Sequence, residues 1–136
     1  MDIQEIRSDM NMTALYFESI EFKRKKQISN GEVRIDITPS YDLDGEVKRV
    51  TLLVKAIKGE EFALEVKAVS EFNFTSNLQD VETQNVMLQT NAVAMMFPFV
   101  RSMVTQITAQ PNMVPIIIPT INTIKMVGAN NGTTNK

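Results

Sequence analysis

The sequence predicts an α+β protein: a four-stranded antiparallel sheet with C-terminal helices packed on one face. Three observations carry this expectation. Residues 60–75 alternate apolar and polar side chains with a period of two. Beyond Asp80 the apolar spacing changes to three and four residues. The strand-like segments all precede the helical ones, with no alternation of the two kinds.

Residues 12–25 read as the first strand. Its apolar phase moves from Leu15 and Phe17 to Ile20 and Phe22, which predicts a bulge near Glu18 and Ser19. Asn30-Gly31 marks a turn. Val33, Ile35 and Ile37 then alternate with Glu32, Arg34, Asp36 and Thr38 in a strand expected to stop at Pro39, which cannot donate to a ladder. The stretch 41–45 reads as a solvated loop. Val50, Leu52, Val54 and Ala56 form one apolar face, and Phe62, Leu64, Val66, Ala68, Ser70, Phe72 and Phe74 form another. Lys58-Gly59-Glu60 between them supplies a hairpin turn. Four consecutive strands suggest a meander-like sheet, with Lys55, Glu65 and Lys67 on the face away from the helices.

In the second half, Ala92, Met95, Met96, Phe99, Met103 and Ile107 form a helical stripe, and Pro98 inside it predicts a kink or a break. Residues 108–119 hold three prolines and read as an extended loop. A short helix is expected over 120–127. The segment GANNGTTNK at 128–136 is almost free of apolar residues and reads as a disordered tail beyond a single domain at 1–127.

Composition narrows the function classes. The chain of 136 residues has no cysteine and no histidine. Disulfides and thiolate metal sites are thereby excluded, and the commonest general base is missing. The expectation is a protein that is no enzyme and carries no cofactor and no metal. Asp42, Asp44 and Glu46 resemble the start of a calcium loop, but no glycine or distal glutamate stands at the required spacing. With a net charge of −2 there is no general footprint for nucleic acid. The basic run at 23–26 reads as a solvated strand end that discourages edge pairing. The start MDIQEIRSDM lacks the layout of a signal peptide, and the longest apolar run, at 92–100, is too short to span a membrane. A cytoplasmic protein without membrane insertion is expected. Nine methionines allow two readings, an adaptable partner surface or an adaptable core.

Four segments, in order, resemble the SecB family of export chaperones. GEVRIDIT is similar to that family's second strand and FALEVKAVSEF to its fourth. NAVAMMFPFVRSMVTQI resembles its helix, with the family's Phe-Pro-aromatic-Ala-Arg signature matched at Phe97, Pro98, Phe99, Val100 and Arg101. IIIPTINTI resembles its proline-bearing loop and last helix. The resemblance implies a holdase that binds unfolded polypeptides without ATP, in the service of export, as a tetramer built as a dimer of dimers. It implies a hydrophobic client groove, for which the candidates are Val33, Ile35, Ile37, Met96, Phe97, Phe99, Met113, Ile116, Ile117, Ile118 and Ile121. In the family an acidic sheet face docks the SecA motor. The corresponding candidates here, Lys23, Glu65 and Lys67, are mixed in charge, so motor docking is left open. Some relatives serve antitoxins instead, and the alternative function is a dedicated-partner chaperone or adaptor, either for an antitoxin of a toxin–antitoxin module or as a phage-borne interaction module.

The residues alone support part of this. Side chains in an extended run alternate in direction, so Ile117 should face opposite to Ile116 and Ile118. At least one apolar face of the loop is then exposed, and exposed apolar surface marks a partner, either a client or another subunit.

Overall fold

The computed structural model describes residues 10–25, 31–75 and 80–119. Four strands form one antiparallel sheet: β1 (Met10–Arg24), β2 (Arg34–Asp42), β3 (Lys48–Lys58) and β4 (Phe62–Phe74). One helix follows, α1 (Val81–Thr108). An extended segment at 109–119, the strap, doubles back along it.

The strand order is β1-β4-β3-β2. The hairpins β2–β3 and β3–β4 form as expected, and Glu61 N donates to Lys58 O at 2.8 Å across the second turn, with Gly59 at φ +47. The meander does not extend to β1. That strand pairs with β4 at the far edge, so the sheet has Greek-key order. The physical reason is length and burial. Thirteen-residue β4 carries apolar side chains on both faces, Val66 on one and Val69 on the other, and takes a long neighbour on each side.

The bulge expected at Glu18 is present as a register shift between Phe17 and Ser19, and a second, unexpected shift lies between Met12 and Ala14. β2 does not stop at Pro39 but continues to Asp42. It is an edge strand, where half of the backbone N–H groups point away from the sheet, so a missing donor is tolerated.

The core lies between α1 and one sheet face. Val50, Leu52, Val54, Ala56, Leu64, Val66, Ala68 and Phe72 cover it from the sheet. Each fully buried aliphatic side chain contributes roughly 1.5–3 kcal/mol relative to exposure. Ser70 on this face is buried but satisfied: its hydroxyl donates to Val50 O at 3.2 Å and lies 2.9 Å from Met96 Sδ.

The helix buries Leu88, Ala92, Val93, Met96, Phe97, Val100, Val104 and Thr108. This face is turned from the expected stripe by about one residue. Ala92 and Met96 belong to both, Met95, Met103 and Ile107 flank it, and Phe99 stays 51% exposed. Nor does Pro98 break the helix, which runs through it without interruption. Pro98 sits on the exposed side, so its ring meets solvent rather than the core. Of the methionines, Met10 and Met96 are core, while Met12, Met87, Met95, Met103 and Met113 pack half-buried at its margin. Among the described residues no helix is long and apolar enough to cross a membrane.

Candidate binding groove

The site begins where α1 ends. Gln110 Nε2 donates to Ile107 O at 2.7 Å, and Met113 N to Gln110 O at 3.2 Å. Between them Pro111 pre-sets φ for a turn, and Asn112 takes the positive φ of 58° that asparagine tolerates better than most residues. The turn is held from β1. The Arg24 guanidinium donates to both Pro111 O and Asn112 O at 2.7 Å. One member of the basic run is therefore spent on a structural contact, and Lys25 pairs with Glu60 at 3.5 Å.

The chain then runs antiparallel to the last turns of α1. Thr105 Oγ1 donates to Ile116 O at 2.8 Å, Ile116 N donates to Thr108 Oγ1 at 2.8 Å, and Arg101 Nε donates to Ile118 O at 2.7 Å. These bonds set the alternation: Ile116 and Ile118 are 8% and 2% exposed, whereas Ile117 is 72% exposed. Val114, on the same stretch, is 85% exposed.

A groove of about 490 Å³ opens between this strap and the sheet. One wall is Met113, Val114, Pro115, Ile116 and Ile117; the other is Gly31, Val33 and Ile35 at the start of β2. The β3–β4 turn closes one end with Lys58, Glu61 and Phe62. Glu61, with 8% of its side chain exposed, pairs with Lys58 at 3.4 Å, so this end is polar but charge-balanced.

The groove brings together five of the expected client residues: Val33, Ile35, Met113, Ile116 and Ile117. Ile37 packs half-buried two residues further along β2, against the core. Ile118 is buried on the strap's inner side, while Met96 and Phe97, 0% and 4% exposed, are core side chains of the single chain. Phe99 lies outside the groove, exposed on α1. Ile121, like the segment 120–127 and the tail 128–136, lies outside the described residues. Sequence reasoning missed the part that Arg24, Thr105 and Thr108 play in building the wall, and Val114 upon it; it placed Arg101 in the family signature without a role. The only available signal was two threonines three positions apart near the end of a helix, ahead of an extended apolar run.

The sheet's other face carries the remaining candidates. Lys23 and Glu65 line a shallow depression of about 230 Å³ together with Glu21, Lys55 and Ile57. Glu21 stands directly opposite Glu65 in the ladder. Lys67 is 3.2 Å from Glu18, and Arg49 is 3.1 Å from Glu71. Both signs of charge are mixed across this face, with Glu21 and Glu65 side by side and Lys55 opposite Glu65. No cluster of three or more potential metal-ligating side chains exists among the described residues.

Comparison with known proteins gives three findings. No protein-family profile matches the chain. An uncharacterised protein of Methanocaldococcus jannaschii is 28% identical over 99 residues, which cover 70% of this chain and 64% of that protein. The chain thus spans slightly less than two thirds of the length of the curated relative it matches. Among solved structures, a SecB-like chaperone of Mycobacterium tuberculosis, in complex with a peptide from the HigA1 antitoxin, superposes with a TM-score of 0.69 at 10% identity. The match covers 83% of this chain and 91% of that one. The likeness establishes that the fold is SecB-like.

Proposed function

We propose that this SecB-like chain is a chaperone that holds extended, unfolded segments of other polypeptides in its groove without ATP and performs no covalent chemistry on them. The observation that carries the reading is the strap: it displays Ile117 and Val114 to solvent on a wall fixed by directional hydrogen bonds. An isolated protein gains nothing from exposing two large aliphatic side chains beside an apolar groove; a partner segment that buries them contributes roughly 25 cal/mol per Å² of apolar area. Half-buried Met113 adds an adaptable surface suited to varied sequences. A long client that touches several protomers gains by avidity. A homo-oligomer built as a dimer of dimers is part of the same reading, and the exposure of Phe99 (51%) and Ile20 (42%) supports subunit burial elsewhere on the surface.

The test is light scattering from a chemically denatured model protein diluted into buffer without nucleotide. Suppression near stoichiometric amounts of chaperone is expected. Ile117→Asp combined with Val114→Asp should lower suppression severalfold while leaving circular dichroism unchanged, since both side chains are exposed. A folded double variant that suppresses as well as wild type would place the client elsewhere. A variant at Phe97 is unsuitable, because a charge at a core position tests folding rather than binding.

A second reading is favoured by one observation: the M. tuberculosis neighbour was solved with an antitoxin peptide bound. On this reading the groove serves one dedicated partner. A wild-type protein that fails to suppress general aggregation, yet enriches a single band from lysate of its own cells, would establish it. Docking of an export motor on the sheet face remains a separate proposal; the mixed charges there call for a direct binding measurement.

A further inference from the structure

On the premise that the groove is a client site, we propose that Thr108, with Thr105 and Arg101, are positioning residues for client binding: they hold the strap as a preformed wall in the one register that turns Ile117 outward.

The triple 116–118 makes register a matter of choice. All three residues are isoleucine, so either register turns isoleucine inward: the outer two in one, the middle one beside Pro115 or Pro119 in the other. A slip of one residue in an extended chain reverses every side chain. Burial of two isoleucines favours the observed register, and directional bonds fix it. Ile116 is held at both backbone groups from one helix face: its N–H donates to Thr108 Oγ1 at 2.8 Å and its C=O accepts from Thr105 Oγ1 at 2.8 Å. Ile118 O accepts from Arg101 Nε, one turn earlier on α1, at 2.7 Å. In the slipped register the residue opposite the two threonines would be Pro115 or Ile117. Proline has no N–H to give, and Ile117 there would turn Ile116 and Ile118 to solvent.

The Thr108 hydroxyl acts as a relay. It is fully buried, donates to Val104 O at 2.8 Å, and so presents its lone pairs to the strap. Its partner is an amide that would otherwise be buried without an acceptor, a costly arrangement. Among the described residues no backbone–backbone hydrogen bond ties 114–119 to the sheet, so these side chains carry the polar part of an attachment that burial of Ile116 and Ile118 completes. At the other end, Arg24 fixes the turn at 111–112 from β1. A wall ordered before the client arrives does not lose its freedom on binding, and preorganisation of this kind is read as affinity.

The experiment uses the full chain with Thr108→Val, which keeps the shape and removes the hydroxyl, and Thr108→Ser, which keeps the hydroxyl and removes the methyl. Two quantities are read: hydrogen exchange of the Ile116 amide in the free protein, and the dissociation constant for a labelled, permanently unfolded probe such as reduced, carboxymethylated α-lactalbumin. Loss of one such bond should speed Ile116 exchange and weaken the probe by about five- to tenfold in Thr108→Val, while Thr108→Ser matches wild type. If Thr108→Val does not fold, Thr105→Val removes the second bond at a half-buried position and should shift both quantities in the same direction.

Wild-type affinity in a folded Thr108→Val, or equal weakening in both Thr108 variants, overturns the assignment, as does an unprotected Ile116 amide in wild type. A wild type that binds no probe overturns the client reading itself. Ile116 protection lost only in Thr108→Val would then show the clasp as a structural device alone, and the assignment to binding would fall.

Discussion

At the scale of single residues, Tyr41 shows how burial acts on one polar group. It sits on the helix-facing side of β2 opposite Val50, and its hydroxyl is buried without a hydrogen-bond partner among the described residues. Burial raises its pKa above the ordinary 10.0, because the phenolate would lose its hydration. The folded state therefore holds this proton more tightly than the unfolded chain does. Stability from this group is complete below the unfolded value and is lost as pH rises through the folded one. Tyr41→Phe should leave stability at neutral pH unchanged or higher by about 1 kcal/mol, and should flatten the loss above pH 10. Urea titrations at neutral and strongly alkaline pH measure both effects. A fall at neutral pH would mean that the hydroxyl has a partner outside the described residues.

At the scale of elements, α1 carries its own internal defect. Pro98 removes the hydrogen bond to Ala94 and crowds its carbonyl, yet the helix continues for ten residues beyond. Packing of Met96, Phe97, Val100 and Val104 against the sheet outweighs the defect. Because Pro98 is exposed, Pro98→Ala restores the bond without disturbing the core and should stabilise the fold by about 1–3 kcal/mol. A thermal melt decides it; a lower melting temperature would show that the proline shapes the helix to its contacts. The N-terminus of α1 has no side-chain cap on its free backbone N–H groups, but its charges are favourable. Thr83 Oγ1 donates to the Asp80 carboxylate, and Glu82 lies in the first turn, where the helix dipole favours negative charge.

At the scale of the whole molecule, stability rests on the apolar layer between helix and sheet. Apart from Lys58–Glu61 at the end of the groove, the ion pairs are surface features: both side chains of Lys25–Glu60 and of Arg34–Asp36 are more than half exposed. Such pairs contribute little and are screened by salt. Raising NaCl from about 0.05 to 0.5 M should move the melting temperature by no more than about 3 °C. By contrast, Leu52→Ala, at a fully buried position between α1 and the sheet, should cost about 2–5 kcal/mol in a urea titration. A large salt dependence with a mild Leu52→Ala would reverse this ranking.

Much of this molecule is legible in its residues alone. Period-two alternation reports which face of a strand is buried, so β2, β3 and β4 and their inward residues come from local pattern. The opposed directions of Ile116, Ile117 and Ile118 come from the geometry of an extended chain. The phase change at Glu18 announces a bulge, because a bulge shifts alternation by one. Tertiary structure alone decided the rest. Backbone hydrogen bonds are chemically alike in every strand, so nothing local says that β1 pairs with β4 rather than β2. A helix whose apolar residues cover more than one stripe does not declare which stripe meets the sheet, and so Met96 and Phe97 became core while Phe99 faced out. The groove, finally, is built by segments distant in the chain: the strap lies more than fifty residues beyond the hairpin turn and further still from the start of β2. Its wall is held by Arg24, Arg101, Thr105 and Thr108, polar side chains whose partners are backbone groups that carry no sequence signature, and only folding brings them within bonding distance.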